Sequence, residues 1–141
     1  MPRGHAKLEI IGHSRFSRDE NIVFDGLVYK VSKQVSKTEG DNLMYIVNKQ
    51  NEEDIRRRGL RFETYFFDDI IKVYVFEKNV ITKGSQVGRG NIDLRELSYD
   101  GLNSIFGLQI VNKRLKRAMG YLYFKLTYTP REKKLLDMTQ I

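Results

Sequence analysis

Two basic clusters are the residues whose type and spacing best suit chemistry, and that chemistry is anion binding. Arg56, Arg57 and Arg58 stand with Arg61, and Lys113 and Arg114 stand with Lys116 and Arg117. Lys30 and Lys49 add charge nearby. Close to an anionic surface each such side chain contributes about 1 kcal/mol within a Debye length, so four converging cations give weak, salt-sensitive attachment. Against the first cluster, Glu52, Glu53 and Asp54 immediately precede the arginines and offset them. Catalytic chemistry is poorly supplied. There is no cysteine, and the only histidines, His5 and His13, have no partner at metal-ligand spacing. Ser14 beside His13 lacks a third group to orient the pair, and Gly84, Gly88 and Gly90 belong to no Walker-type loop. An enzyme is not expected.

The elements that carry these clusters follow from the pattern of apolar residues. The chain has 141 residues, 40% of them apolar and 30% charged, with two prolines, which suits one folded domain with a single core. Short apolar segments rich in β-branched and aromatic residues recur between Gly, Asn, Asp, Ser and Lys-rich stretches, the rhythm of an all-β protein. Eight strands are predicted, at 7–12, 27–32, 44–48, 61–67, 70–76, 88–94, 108–112 and 121–129. In the last, Leu122, Phe124, Leu126 and Tyr128 share one face and Tyr121, Tyr123, Lys125 and Thr127 the other, as the two-residue strand period requires. Ile71 to Phe76 is nearly continuous in apolar character and reads as a central strand. Gly88 is expected to permit the turn into the following strand. Leu94 to Phe106 is expected to form a short helix or compact loop between strands six and seven. Residues 1–130 form the expected domain, and 131–141 a charged tail with room for a short helical turn.

The stretch from Ile71 to Leu94 resembles the signature half of a C2 domain: an apolar strand, a loop with Glu77, then Val87-Gly88 and a strand ending in leucine. Lys7 to Gly12 resembles the family's opening strand, Phe62 to Phe67 its aromatic strand, and Gly120 to Tyr128 its closing one. The resemblance covers residues 5 to 129. It implies an antiparallel eight-stranded β-sandwich with three loops at one end, where family members often bind calcium and acidic phospholipid. It places Asp19 and Asp25 at the carboxylate positions of the first loop, and Glu77, Asn79 and Ser85 at those of the third, with Lys78 and Lys83 nearby. Only one carboxylate then remains in the third loop. Calcium takes six to eight oxygen ligands, and its affinity falls with ligand charge. No cofactor is therefore expected; Asp19, Asp25 and Glu77 are at most weak calcium candidates, and turn roles suit the aspartates as well. The resemblance also implies a basic sheet around the third and fourth strands, where Lys49, Arg58 and Arg61 lie closest.

A net charge of +7 favours anionic partners. The expected function is a non-enzymatic, calcium-independent docking module for an acidic phospholipid surface or a protein partner, with Lys49, Arg56, Arg57, Arg58, Arg61, Lys113, Arg114, Lys116 and Arg117 as contacts. A structural accessory subunit of a cytoskeletal, ciliary or membrane-bound assembly is the alternative. Nucleic-acid binding ranks below both, because the aromatics fall mostly on strand positions that face a core. The amino terminus shows no signal-peptide pattern, and no run reaches the roughly 18 apolar residues of a membrane span. The expected location is the cytoplasm, including the membrane periphery or the cytoskeleton.

Overall fold

The computed structural model describes residues 4–34, 44–64, 70–93 and 103–130. Among them are ten strands: β1 (Gly4–His13), β2 (Ser17–Asp19), β3 (Ile22–Val23), β4 (Val28–Gln34), β5 (Met44–Val47), β6 (Leu60–Thr64), β7 (Ile70–Phe76), β8 (Gln86–Asp93), β9 (Asn103–Asn112) and β10 (Arg117–Pro130). An α-helix, α1 (Glu52–Arg58), lies between β5 and β6. Eight of the strands form one antiparallel sheet in the order β5-β4-β7-β8-β9-β10-β1-β6, and these are the eight predicted ones. The first strand therefore sits between the last strand and β6.

The sheet doubles over into a sandwich at β8 and β9, which are joined among the described residues by a single bridge, Arg89 opposite Val111. Two glycines explain how the strands come so close. A Cβ on Gly88 would lie 2.8 Å from Ile110 Cγ2 and 2.9 Å from the Val111 carbonyl oxygen, and one on Gly90 would lie 2.9 Å from the Gln109 carbonyl oxygen. Gly88 is thus a seam residue inside β8, not the turn residue expected from the sequence. Its lack of a side chain is used for backbone approach.

Strand alternation fills the space between the two leaves. Leu8 and Ile10 from β1, Val31 from β4, Ile71, Val73 and Val75 from β7, and Leu122, Phe124 and Leu126 from β10 are all buried. Tyr121 and Tyr123 point outward, as the period of two demands. At the far edges the leaves meet again, where the Tyr45 hydroxyl donates to the Arg61 carbonyl at 3.0 Å and the Tyr45 and Phe62 rings pack edge to face. Phe16 closes the loop end of the core: its ring lies against Gly120, where any Cβ would be 2.7 Å away.

Two further expectations change, and one element is added. The arginine triplet, expected as a charged segment before the fourth strand, is helical. Its acidic first turn and basic last turn complement the helix macrodipole, and Arg56 pairs with Glu52 at 2.8 Å and Arg58 with Asp54 at 3.3 Å, one turn apart. β9 begins at Asn103, so 103–106 is strand, not part of a helix or compact loop; 94–102 and the tail 131–141 lie outside the described residues. A two-stranded ribbon, β2 with β3, is inserted between β1 and β4.

Candidate functional site

β1, β5, β7 and β9 all run toward one end of the sandwich, so the segments that follow them gather there: 14–27 (loop 1), 48–59 with α1 (loop 2), 77–85 (loop 3) and the 113–116 turn. Every sequence-predicted site residue except Arg61 belongs to this end. Arg61 is the second residue of β6, opposite Lys7 of β1.

Loops 1 and 3 are tied together by main-chain hydrogen bonds. The Lys78 N–H donates to the Asp25 carbonyl at 2.9 Å and the Asn79 N–H to the Gly26 carbonyl at 2.7 Å. Lys78 and Asn79 are both left-handed, with φ of 57° and 55°, and Gly26 is left-handed at 57°. A Cβ on Gly26 would stand 3.1 Å from Lys78 Cα, so the approach of the two loops depends on glycine there.

The three carboxylates do not form a metal centre. Asp19 Oδ1 accepts the N–H groups of Asn21 and Ile22 at 2.8 and 3.0 Å, capping the turn between β2 and β3. Ser85 is committed to loop 3 itself: its hydroxyl donates to the Val80 carbonyl, and its Oγ accepts the Thr82 N–H at 3.0 Å. Among the described residues, no three His, Cys, Asp or Glu side chains converge closely enough to hold a metal ion.

The cations fall into two groups with different surroundings. On α1, Arg56 and Arg58 are paired with their own helix, while Arg57 is exposed and makes no ion pair among the described residues. Lys49 sits on the corner before α1, which Asn48 and Asn51 build by side-chain bonds to the main chain at 2.8 to 3.1 Å. In the second group, Lys113, Arg114 and Lys116 are exposed in the turn and also make no ion pair among the described residues. Arg117 is used structurally, its Nη1 donating to the Arg18 carbonyl at 2.5 Å. Lys78 and Lys83 of loop 3 join the cations that have no ion pair among the described residues.

Aliphatic side chains stand among these cations. Val80 and Ile81 of loop 3 are 46% and 40% exposed, and Leu115 at the tip of the turn is 42% exposed. Nothing in the hydrophobic period marks them, because they lie outside the strands. Their position between basic residues in two turns is the available signal.

Beside them, a pocket of about 370 Å³ opens between loops 1, 2 and 3 and is lined by His13, Asp25, Tyr29, Lys49, Glu52 and Asn79. It carries both signs of charge. Tyr29 reaches it from the core, and burial first, then the Glu52 carboxylate, pushes its phenol well above the ordinary range, against the opposing effect of Arg56.

No protein-family model matches the sequence, and no curated protein matches it. Solved structures do. A C2 domain of a plant extended synaptotagmin 1 superposes with a TM-score of 0.58 at 14% identity, over 92% of this chain and 97% of that one. A C2 domain-containing protein from a putative elicitor-responsive gene superposes with a TM-score of 0.58 at 17% identity, over 92% of this chain and 91% of that one. The chain has the C2 fold. The chain's own antiparallel strand order accounts for the meeting of loops 1, 2 and 3 at one end. In this C2 fold, no helix among the described residues is long and apolar enough to cross a membrane.

Proposed function

We propose that this domain docks onto an acidic membrane surface through loop 3 and the 113–116 turn, without calcium and without catalysis. The observation that carries this reading is the mixed tip: Lys78, Lys83, Lys113, Arg114 and Lys116 make no ion pair among the described residues, and they flank exposed Val80, Ile81 and Leu115. Each cation contributes about 1 kcal/mol near an anionic bilayer, and the aliphatic tips add burial at the interface that salt does not screen. The loop 1 to loop 3 hydrogen bonds support calcium independence, since they hold the two loops together without an ion.

This shifts the weight between the basic clusters. Arg56 and Arg58 have their charges offset within α1, whereas the turn cations do not. Co-sedimentation with acidic vesicles tests the assignment: Lys113→Glu with Arg114→Glu is expected to abolish pelleting, and Arg56→Ala with Arg58→Ala to weaken it little. The reverse ranking would move the docking surface to α1.

A second reading, an accessory subunit of a larger assembly, is favoured by a separate feature. Tyr121 and Tyr123 stack at 6.5 Å on the outer face of β10, and Ile105 across on β9 is 72% exposed. A partner protein covering that face would bury it. Such a subunit would carry a bound partner when isolated from its source and lose it on Tyr123→Glu; a monomer whose vesicle binding accounts for all its interactions would contradict it.

A further inference from the structure

The pocket of about 370 Å³ between loops 1, 2 and 3 contains a side chain that neither the fold nor the docking reading accounts for. Tyr29 is 4% exposed, yet it reaches the pocket wall, and its hydroxyl makes no hydrogen bond with a described residue. Its ring is well placed: it packs edge-on against His13, centroids 6.3 Å apart, and its main chain pairs with Val47 of β5. A buried hydroxyl ordinarily has a partner, because desolvation without one costs free energy. Burial, and then Glu52, keep this phenol protonated through neutral pH, so it stands as a donor at the pocket wall.

The charges around it are of both signs. Asp25 and Lys49 are exposed and make no ion pair with a described residue, while Glu52 gives one carboxylate oxygen to Arg56 at 2.8 Å and keeps the other. Asn79 adds an amide that lies over Gly26, where a Cβ would be 3.3 Å from its Nδ2. Leu27 and Val47 supply apolar wall. The groove at the β8–β9 seam differs, since Lys83, Arg89, Lys113 and Arg114 meet there with no carboxylate among them.

A ligand of one sign would leave the opposite charges of the loop-end pocket unpaired, and a phosphate would meet Asp25 and Glu52 with Lys49 alone in the wall to offset them. A small zwitterion satisfies both signs. An α-amino acid carries an ammonium group whose N–H donors suit the two carboxylates, and beside it a carboxylate that accepts from a lysine and a phenol. An aliphatic side chain then covers the apolar wall, and a pocket of this volume takes the whole molecule.

We infer that the loop-end pocket binds a free α-amino acid with an aliphatic side chain, its ammonium group against Asp25 and Glu52 and its carboxylate against Lys49 and the Tyr29 hydroxyl. This ligand is separate from the membrane surface, and the inference does not depend on docking.

The test is an NMR titration of the whole chain with L-leucine at fixed ionic strength, following the backbone amides. Saturable shifts confined to 25–29, 47–52 and 79 are expected, with no such response to isovalerate, which lacks the amine, or to isoamylamine, which lacks the carboxylate. Affinity should fall about tenfold in Asp25→Asn and in Lys49→Gln, and severalfold in Tyr29→Phe, the losses that follow from removing a charge-assisted and a neutral hydrogen bond. The first two variants change exposed side chains, so they remain informative if Tyr29→Phe perturbs the core. No saturable shift, equal responses to the two truncated analogues, or full affinity in both charge variants would overturn the site. Tighter binding of glycerophosphoserine than of leucine would overturn the aliphatic assignment and point to a lipid headgroup. Lys113→Glu with Arg114→Glu, the docking variant, is expected to bind leucine as the wild type does, so failure of one reading is distinguishable from failure of the other.

Discussion

The Lys78 main-chain N–H donates to the Asp25 carbonyl at 2.9 Å, and this bond ties loop 3 to loop 1. Its neighbour, from Asn79 to Gly26, requires Gly26 in the left-handed region with no side chain facing Lys78. Gly26→Val therefore meets both a strained backbone and a contact of 3.1 Å. Urea denaturation is expected to show a loss of about 2 to 3 kcal/mol. An unchanged midpoint would mean that the loops are not held by this pair.

The seam gives a second expectation. Gly88→Ala places a methyl group 2.8 Å from Ile110 and 2.9 Å from the Val111 carbonyl, beside the Arg89–Val111 bridge between the leaves. Backbone cannot swing aside as a side-chain tip does, so a loss of about 1 to 3 kcal/mol in the same denaturation experiment follows. Gly84→Ala, which meets open space, is the control and is expected to change little.

Tyr29 makes the fold sensitive to alkali. Burial, and secondarily Glu52, raise its phenol above the ordinary value of 10.0, so the folded state keeps the proton after the unfolded chain has lost it. The associated stability is fully present below about pH 10 and is lost as pH rises toward the folded value. Comparing denaturation of the wild type with Tyr29→Phe from pH 8 to 11 isolates this group. The wild-type advantage should fall above pH 10 by about 1.4 kcal/mol per unit; a constant difference would show that the phenol does not titrate in the unfolded state alone.

The eight sheet strands are legible in the sequence because a strand that buries one face must alternate, as Leu122, Phe124 and Leu126 do against Tyr121 and Tyr123. The helix α1 is not, since it buries no residue fully and turns only Ile55 toward the core, leaving hydrophobic period silent. Its signal lies in charge: acids at 52–54, bases at 56–58, and the Glu52–Arg56 and Asp54–Arg58 spacing of a helical turn. Asn103–Phe106 does not read as strand because Ile105 and Phe106 are adjacent apolar residues, one inward and one out to solvent. The candidate site is legible in part. Lys113 and Arg114 can be picked from the sequence, but their meeting with Lys83 and Arg89 depends on which strands cross at the seam, and no local pattern encodes that.

The aliphatic tip separates specific docking from bulk charge. Replacing Val80 and Ile81 by serine removes apolar surface without changing charge, and a membrane contact at this tip should weaken by about 1 kcal/mol or more per side chain that enters the interface. The loss should persist in high salt, where the cations are screened. Vesicle binding that is indifferent to both substitutions would confine the contact to the basic residues.

Co-sedimentation of the wild-type domain with neutral and acidic vesicles, across a salt series and with calcium or a chelator, tests calcium-free docking most directly. Binding to acidic vesicles alone, fading as salt rises and equal with calcium and with chelator, is the predicted result. Binding that requires calcium, or no binding to acidic vesicles at low salt, would contradict it.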